Sequence, residues 1–415
     1  MAKYLTLDDV KVKDKTVLVR VDFNTPVDPE SKKVLDNSRI RAHGETTIRE
    51  LSTKGAKVVV LAHQGRRGDP DFISLKQHAE LLGKILGRPV KYVDDVFGEK
   101  ARTAIKSLKS GEILVLENVR MFAGETKDGT PEEHAKTELV KSLAPLADLF
   151  VLDAFAAAHR AQASIVGFTA VLPSTAGRIM ERELRSLSKV LENPERPSIF
   201  ILGGAKADDS LEISRYVLYK DLADYILTGG VAGQVFLAAK GIDLGKSNIG
   251  FLEKKELMTI TTGIKELMKK YPDEIKTPKD VAVETNGNRE EISIEKLPTD
   301  HLIMDIGTKT IEEYSRIITK AKTVVVSGPM GVYENEKSSL GTREVFEAIA
   351  RSKAFSLAGG GHTIAALQEF GLFKRISYVS TAGGALIEFL MGKRLPGIVA
   401  LEKATARDQS SSILF

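Results

Sequence analysis

Several arginines lie where the first half of the chain could bind a small anion. Arg66, Arg120 and Arg160 each follow an apolar run typical of a parallel strand, and Arg39 opens the helix after the first such strand. The carboxyl ends of parallel strands meet at one edge of a sheet, so these side chains should converge. An arginine fork suits phosphate and carboxylate oxygens. Singly, each could be an ion-paired surface residue; together they predict a site for an anion carrying both groups.

Three further polar side chains belong to the same set. Asp22 and Asn24 directly follow the run that ends at Val21, and His63 follows the next run. An acidic group near a phosphate site can orient an arginine or accept from a substrate hydroxyl, although the sequence DFNTP also favours a plain turn. His63 could donate to the same anion or form only a hydrogen bond within its loop. The residue pattern leaves these alternatives open.

Glycines, instead of charged residues, end the apolar runs of the second half. They lie in the segments SIFILGGAK, YILTGGVAG, TVVVSGPMG, FSLAGGGHT and ISYVSTAGG. Bare backbone amides at such junctions can bind the phosphates of a nucleotide. Lys206 directly follows Gly203 and Gly204, where it is either a cation for a transferred phosphoryl group or a solvated lysine at a helix start. The sequence contains no P-loop and no complete dinucleotide motif. Two dissimilar half-sites predict group transfer between two bound molecules.

Composition narrows the class of protein. A length of 415 residues favours two domains, and 42% hydrophobic with 28% charged residues is typical of a globular chain. The 60 basic and 56 acidic residues nearly balance, and such a charge is not typical of a nucleic-acid-binding protein. The absence of cysteine excludes disulfides, thiolate catalysis and cysteine-ligated zinc. Without a signal peptide or a long apolar run, we expect a cytoplasmic protein that binds neither nucleic acid nor membrane.

Strand-like runs alternate with amphipathic helices along most of the chain. Helices are predicted over 38–54 and 74–86. The runs are rich in Val, Ile and Leu with little alternation, as expected for parallel strands covered on both faces. The predicted strands are 17–21, 58–62, 113–116, 149–152, 198–202, 225–228, 301–304, 323–327, 354–358 and 376–379. This spacing predicts two doubly wound, Rossmann-like parallel sheets.

A charged segment between Pro173 and Pro197 separates the two halves. It predicts a helix over 175–192 with Ser174 as its N-cap. Such a helix would be either a hinge between two α/β domains or one more surface helix. We therefore predict a first domain over 1–174 and a second over 193–396. The polar stretch 276–300 is interpreted as irregular strand and loop.

Ten short segments, in this order, resemble the phosphoglycerate kinase family. They are RVDFNTP, DNSRI, HQGR, LENVR, DAFAAAHRAQAS, LGGAK, GPMGVYE, GGGHT, STAGG and LPG. The resemblance spans nearly the whole chain. It implies reversible phosphoryl transfer between 1,3-bisphosphoglycerate and MgADP, giving 3-phosphoglycerate and MgATP, in glycolysis and gluconeogenesis. It also implies two domains that close about a hinge, with the tail 397–415 packing back on the phosphoglycerate-binding domain.

The resemblance gives each candidate residue a role. The residues that would bind the glycerate substrate are Asp22, Asn24, Arg39, His63, Arg66, Arg120 and Arg160. The residues that would bind the nucleotide are Gly203, Lys206, Gly229, Glu334, Gly359, Gly360, Gly361, His362 and Thr363, with Glu334 on the ribose. The catalytic groups would be Arg39, Lys206 and a helix start at Gly383 and Gly384, all directed at the transferring phosphoryl group.

Three positions depart from the family pattern. Ser210 lies where a second lysine is common, Ser327 replaces an asparagine, and His362 replaces an aspartate that helps to hold magnesium. Together they resemble an archaeal-type variant. Magnesium prefers oxygen ligands, so we expect His362 to contact the nucleotide phosphates or to cap its helix. The protein ligands of the metal stay unassigned, with Asp305 as one candidate.

Two other classes of protein share parts of this pattern. A nucleotide-dependent dehydrogenase has the same architecture, but it would carry a complete G-x-G-x-x-G motif. A two-domain protein that binds anionic solutes has a hinge and a cleft, but it needs no pair of dissimilar half-sites. An assay with 3-phosphoglycerate and MgATP distinguishes the three classes. We expect the chain to act as a monomer.

Overall fold

Three sheets organise residues 4–410, the part of the chain that the computed structural model describes. The strands are β1 (Thr16–Arg20), β2 (Lys57–Leu61), β3 (Lys91–Tyr92), β4 (Ile113–Val115), β5 (Leu149–Leu152), β6 (Ser174–Ala176), β7 (Ser198–Leu202), β8 (Tyr225–Thr228), β9 (Ile275–Lys276), β10 (Asp280–Thr285), β11 (Asn288–Ser293), β12 (Ile303–Ile306), β13 (Thr323–Ser327), β14 (Phe355–Gly359) and β15 (Tyr378–Ser380). The first sheet contains β1 to β6, and the second contains β7 to β9 with β13 to β15. The third contains β10 to β12.

Helices connect most of these strands. The α-helices are α1 (Ser38–His43), α2 (Arg49–Thr53), α3 (Lys76–Leu86), α4 (Glu99–Lys106), α5 (Pro131–His134), α6 (Glu138–Leu143), α7 (Arg178–Leu191), α8 (Ala207–Tyr219), α9 (Gly230–Ala239), α10 (Lys246–Lys254), α11 (Thr261–Lys270), α12 (Thr308–Thr319), α13 (Leu340–Arg351), α14 (Gly361–Glu369), α15 (Gly384–Leu390) and α16 (Pro396–Ser410). A π-helical segment, Gly44–Ile48, joins α1 to α2, so the single helix predicted there is interrupted by a wider turn. Among the described residues, no helix combines the length and apolarity needed to cross a membrane.

The chain divides into two compact units. Unit 1 runs up to Leu184 and resumes at Arg394, whereas unit 2 takes the residues between them, so the division falls within α7. Helix α16 belongs to unit 1, where Thr405 accepts a hydrogen bond of 3.1 Å from the backbone nitrogen of Leu5. Residues 411–415 of the expected tail lie outside the described residues.

The sheet of unit 1 is parallel throughout, in the order β3-β4-β2-β1-β5-β6. The chain leaves β1 first towards β2 and later towards β5, so the topological switch point lies beside β1. Val17 and Val19 pack in one core cluster with Leu82 of α3, and Leu18 between them is also fully buried. Burial on both faces is the physical reason for the uniformly apolar strands.

The large sheet of unit 2 is also parallel, in the order β15-β14-β13-β7-β8-β9. Strands β8 and β9 are added on one side of β7, and β13, β14 and β15 are added later on its other side. The switch point therefore lies between β7 and β13, where a doubly wound sheet binds its ligand. The two sheets confirm the predicted fold class.

The third sheet corrects two sequence interpretations. The strand predicted over 301–304 lies at β12 and pairs antiparallel with β10, so it belongs to neither parallel sheet. The stretch interpreted as irregular contains a regular hairpin, β10 to β11. Its turn consists of Asn286 and Gly287, whose φ angles of 51° and 75° are those of a type I′ turn.

The start of α7 also differs from the prediction. Ser174, expected to be its N-cap, lies in β6 and pairs with Phe150 of β5, so the helix begins only at Arg178. The first turn is capped from a distant part of the chain: one carboxylate oxygen of Asp153 accepts from the backbone nitrogens of Ile179 and Met180, at 2.8 and 3.2 Å. Local sequence could not reveal a cap contributed by another strand.

Candidate active site

The loops after β1 and β2 bring three of the predicted residues together. The Asp22 carboxylate pairs with the Arg39 guanidinium, and its other oxygen accepts from the backbone nitrogen of Asn24 at 3.0 Å. The Asn24 side-chain oxygen in turn accepts from the backbone nitrogen of Gly65 at 2.9 Å. Asp22 therefore both shapes its own turn and orients an arginine. The sequence had left open whether it does one or the other, and it does both.

His63 lies beside this group and is buried. Its Nδ1 accepts a hydrogen bond of 3.0 Å from the guanidinium of Arg20, so the ring proton is on Nε2. Burial lowers the pKa of His63 well below its usual value, and the positive charges of Arg20 and Arg120 lower it further. The imidazole is therefore neutral at physiological pH and presents an N–H donor, which suits an anion.

Three of the predicted arginines form one field of positive charge. Arg120 is buried and donates to the backbone oxygen of Gly65, and burial together with Arg160 lowers its pKa to about 10. Burial, followed by the charge of Arg66, lowers the pKa of Arg160. Arg66 itself is exposed. A bound anion would stabilise arginines whose charges lower one another's pKa values, so this arrangement suits an anion, and the anion site stays a prediction.

Two residues of this network were not among the predicted site residues. Arg20, 1% exposed, donates from Nε to the hydroxyl of Ser164 at 2.8 Å. That hydroxyl donates to the buried carboxylate of Glu125 at 2.5 Å, and the Ser164 backbone nitrogen donates to the other oxygen at 2.9 Å. Arg20 could have been found, because a charge inside the run VLVRV must have a buried partner. No local signal marks Glu125.

In unit 2, the glycine loops after β7, β8 and β13 bond to one another. Gly204 donates its backbone N–H to Pro329 at 2.8 Å, and Gly230 donates to Met330 at 2.7 Å. Gly203 donates to the last residue of β13 at 2.9 Å. The expectation that these junctions offer bare amides is therefore wrong for these three glycines, because their donors are used within the protein.

Close packing explains why three of the predicted positions are glycine. A Cβ atom at Gly203 would overlap the carbonyl oxygen of Pro329, and one at Gly229 would overlap the sulfur of Met330. At Gly359, the last residue of β14, it would overlap the side chain of Leu386. Gly203 and Gly229 let adjacent loops approach closely at the switch point, and Gly359 lets α15 approach the end of β14.

We expect Gly203→Ala to destabilise unit 2 by about 1–3 kcal/mol, because the obstructing atom is a backbone oxygen that cannot move aside. Urea unfolding followed by circular dichroism measures this loss. Gly250→Ala is the matched control, since its Cβ would meet nothing within 4 Å and Gly250 lies inside α10. Equal stability of the two variants would contradict the packing explanation.

Two other glycine junctions are open. Gly360 has a φ of 95° and leads into α14, and Gly383 has a φ of 55° and leads into α15. A Cβ atom at Gly361, Gly383 or Gly384 would meet nothing within 4 Å. The first amides of a helix have no acceptor within it, so the amide donors predicted from the sequence can be offered at these two helix starts.

The side chain of Thr363 has a structural partner. It is fully buried, and its hydroxyl accepts a hydrogen bond of 2.7 Å from the backbone nitrogen of Gly328 in the loop after β13. Thr363 therefore joins the start of α14 to the switch point. Any contact with a ligand would come from its backbone nitrogen.

A cavity of about 260 Å³ opens beside the β7–β13 switch point. Gly204 and Pro329 form part of its wall, and apolar residues such as Val281 and Leu302 form much of the rest. The predicted residue Glu334 also lines it. An apolar cavity with a carboxylate on its wall suits a flat aromatic ring attached to a group bearing hydroxyls.

His362 and Lys206 lie close to this cavity. His362 lines it, and its Nδ1 is 3.6 Å from a carboxylate oxygen of Glu334. It does not cap the helix, since the cap position of α14 is Gly360. Lys206 directly follows the wall residue Ala205, and its side chain is 83% exposed. The Lys206 ammonium group and the His362 ring are therefore both accessible to an anionic part of a ligand.

Asp305 lines the same cavity but already has partners in the protein. One of its oxygens accepts from Arg289 at 2.9 Å and from the backbone nitrogen of Gly341 at 2.7 Å. Its other oxygen is buried without a hydrogen bond, and burial raises its pKa to about 6. A carboxyl group held in this way is a poor metal ligand. Nowhere between Tyr4 and Ser410 do three histidine or acidic side chains form a group that could bind a metal.

Comparisons with known proteins agree over nearly the whole chain. The family model described as phosphoglycerate kinase matches residues 7–393. A phosphoglycerate kinase of Methanothermobacter thermautotrophicus is 48% identical over 402 residues, which cover 97% of each protein. One from Pyrococcus abyssi is 45% identical over 400 residues, which cover 95% of this chain and 97% of the relative.

Solved structures give the same result. The crystal structure of phosphoglycerate kinase from Pyrococcus horikoshii OT3 matches with a TM-score of 0.87 and 42% identity, covering 97% of this chain and all of the other. The phosphoglycerate kinase structure from Coxiella burnetii matches with a TM-score of 0.84 and 34% identity, covering 96% and 99%. The similarity extends through both units, and so the chain belongs to the phosphoglycerate kinase family.

Proposed function

We propose that this chain transfers a phosphoryl group reversibly from 1,3-bisphosphoglycerate to MgADP, giving 3-phosphoglycerate and MgATP. The observation that carries the proposal is the family match over residues 7–393. This activity makes it a phosphotransferase with a carboxyl group as acceptor, acting in glycolysis and gluconeogenesis. The match disfavours both alternatives, the dehydrogenase and the solute-binding protein. The two dissimilar sites agree with a reaction between two bound molecules.

The site in unit 1 is assigned to the glycerate substrate. Arg120 and Arg160 carry charge suited to its phosphate, and neutral His63 adds a donor. Asp22 and Asn24 contact the glycerate, and Asp22 also orients Arg39 towards the reacting carboxyl end. Exposed Arg66 completes the charge that attracts the anion.

No general base is required in this assignment. The attacking group is a phosphate oxygen of ADP, or the glycerate carboxylate in reverse, and both are ionised at neutral pH. Catalysis then consists of positioning the reactants and neutralising charge on the passing phosphoryl group. A buried histidine with a strongly lowered pKa fits this chemistry, since it donates a hydrogen bond without taking up a proton.

The site in unit 2 is assigned to the nucleotide. The cavity holds the nucleoside with Glu334 on the ribose, and the open amides at Gly361 lie along its phosphates. Lys206 and the helix start at Gly384 are directed at the transferring phosphoryl group. Gly203, Gly204 and Gly230 use their backbone amides within the protein and do not donate to the ligand.

Magnesium enters this reaction as part of the nucleotide complex. Asp305 is held by Arg289 and Gly341, so it does not supply the missing metal ligand. The nucleotide phosphates and water provide the oxygen ligands that magnesium prefers. When bound, the metal would neutralise phosphate charge, and Lys206 and the open amides at Gly361 would bind the remainder of the complex.

The two units correspond, in this proposal, to a glycerate domain and a nucleotide domain. Helix α7, at the predicted segment 175–192, is the proposed hinge, and the tail from 397 belongs with the first domain. Closure of the two domains on their substrates lets the reacting groups meet and excludes water from the acyl phosphate. We also propose a cytoplasmic monomer, and sedimentation velocity tests the oligomeric state.

The assay that tests the function mixes purified protein with 3-phosphoglycerate and MgATP and follows ADP by a coupled readout. ADP should form only when both substrates and magnesium are present. A mixture without 3-phosphoglycerate is the control against simple ATP hydrolysis. Absence of ADP from folded protein would refute the proposed function.

His362→Ala should raise KM for MgADP only modestly, by about two- to tenfold, because one accessible ring that can hydrogen-bond to the phosphates is removed. The requirement for magnesium should stay unchanged, since the metal is held by phosphates and water. Steady-state kinetics over a magnesium series measures both effects, with exposed His301→Ala as the control. A structure with MgADP in which a His362 nitrogen binds the metal would overturn this assignment.

A further inference from the structure

A buried histidine–aspartate pair in unit 1 has no part in the reaction described so far. His43 is 4% exposed and Asp153 is fully buried, and Nδ1 of His43 lies 2.7 Å from a carboxylate oxygen of Asp153. His43 lies at the end of α1, and Asp153 directly follows β5. A buried carboxylate is costly unless it is fully hydrogen-bonded, so its partners indicate what it does.

The second ring nitrogen of His43 fixes its tautomer. Nε2 lies 3.2 Å from the backbone nitrogen of Asp22, which can only donate. Nε2 is therefore the acceptor, and the ring proton is on Nδ1, directed at Asp153. The opposite tautomer would place two N–H groups face to face. The Asp153 carboxylate thus determines whether His43 can hold the Asp22 backbone.

The other oxygen of Asp153 caps the first turn of α7. It accepts from the backbone nitrogens of Ile179 and Met180, as described above. A Cβ atom at Gly177, directly before the helix, would overlap the same carboxylate, so the carboxylate and this turn are tightly packed. A continuous line of hydrogen bonds therefore runs from the α7 amides through Asp153 and His43 to Asp22.

We propose that His43 and Asp153 are positioning residues that fix the position of the Asp22–Arg39 pair relative to the first turn of α7. The inference rests on the proposed function, in which Arg39 acts on the transferring phosphoryl group. Asp22 holds Arg39 through its carboxylate, and His43 holds Asp22 through its backbone nitrogen. Neither positioning residue touches the substrate. Their effect is to fix where the catalytic guanidinium lies.

Asp153→Asn isolates this role. The asparagine oxygen can still accept from the two helix amides, and this forces its NH₂ group towards His43. His43 must then accept at Nδ1 and carry its proton on Nε2, opposite the Asp22 N–H. We expect kcat to fall by about 10- to 100-fold, because displacement of Asp22 misplaces Arg39, while KM for MgADP stays unchanged.

A second substitution should restore activity. In Asp153→Asn/His43→Glu, one oxygen of the introduced carboxylate can accept from the Asp22 backbone nitrogen, and the other can accept from the NH₂ group introduced at position 153. We expect kcat of the double variant to exceed that of Asp153→Asn alone. A purely structural role predicts the reverse, since the second change would add further damage to the core. His301→Gln, at an exposed histidine, is the control and should retain the kinetics of the parent.

Nitrogen-15 NMR of the histidine rings gives a readout that does not depend on turnover. The parent should show His43 protonated on Nδ1, and Asp153→Asn should show it protonated on Nε2.

If the aspartate variant does not fold, His43→Gln should still exceed His43→Leu in kcat, because only glutamine offers an acceptor. An Nε2-protonated His43 in the parent, or a double variant no better than Asp153→Asn, would overturn the inference. Absence of turnover in the parent would instead refute the proposed function.

Discussion

Arg39→Ala should lower kcat by about 10²- to 10³-fold, the cost of removing one group that stabilises charge in the transition state. Arg39 is one-third exposed and is held by the Asp22 carboxylate, so its guanidinium is oriented while part of it stays accessible to substrate. Its charge is needed most when the phosphoryl group is between donor and acceptor. KM for 3-phosphoglycerate should therefore change much less than kcat.

Arg160→Ala provides the contrast. Arg160 is half-buried among Arg66 and the other positive groups, where it would bind the phosphate that does not react. Its loss should raise KM for 3-phosphoglycerate with little change in kcat, because that contact is equal in ground and transition states. Arg67→Ala removes an equal charge from a neighbouring exposed position and should leave both constants unchanged. Parent-like kinetics in the Arg39 and Arg160 variants would dismiss the assigned site.

Residues that follow strands were predictable because the sheet itself places them. Asp22, Asn24 and His63 follow β1 and β2, and parallel pairing of those strands puts their loops side by side. The convergence therefore follows from strand order and needs no knowledge of distant contacts. In unit 2, Gly204 and Pro329 likewise lie together because they follow the paired strands β7 and β13.

Contacts between distant segments could not be predicted in this way. Glu125 reaches Arg20 through Ser164, although 39 residues separate it from the serine. Asp153 caps α7 from 26 residues earlier in the chain. No periodicity or composition marks such a partner, because it is chosen by packing after the sheet has formed.

Two sequence signals were present but were interpreted wrongly. The Asn286–Gly287 pair favours a type I′ turn and hence a hairpin, yet the polar composition around it suggested loop. Glycine at strand ends suggested free amides, whereas at Gly203 it permits close contact of two backbones. The presence of a glycine cannot show whether its role is to offer a free amide or to allow close packing, since both roles exclude a side chain.

Arg20→Met should give the largest loss of stability, about 3–5 kcal/mol at pH 8, because it leaves the buried Glu125 carboxylate without its positive partner. Burial raises the pKa of Glu125, and the charge of Arg20 opposes that rise. Without Arg20, the pKa of the folded carboxyl lies further above that of the unfolded chain. Urea unfolding at several pH values measures the loss.

The pH dependence identifies the cause. At a pH below the unfolded pKa of Glu125, the carboxyl is neutral in both states and carries no charge penalty. As pH rises through the raised folded pKa, an unpaired charge forms in the core and stability is lost, so the Arg20→Met defect should grow from pH 5 to pH 8. Arg41→Met, at an exposed pair with Glu45, should cost no more than about 0.5 kcal/mol at either pH.

A second substitution separates the charge from the lost packing of the arginine. Arg20→Met/Glu125→Gln removes the ionisable partner, and the introduced amide can accept from the Ser164 backbone nitrogen through its oxygen while its NH₂ group donates to the Ser164 hydroxyl. The double variant should regain much of the stability lost at pH 8 and should lose the pH dependence. The opposite result would be an Arg20→Met stability loss that is equal at both pH values and becomes larger when Glu125→Gln is added. It would show that Arg20 stabilises unit 1 by packing and not as the partner of Glu125.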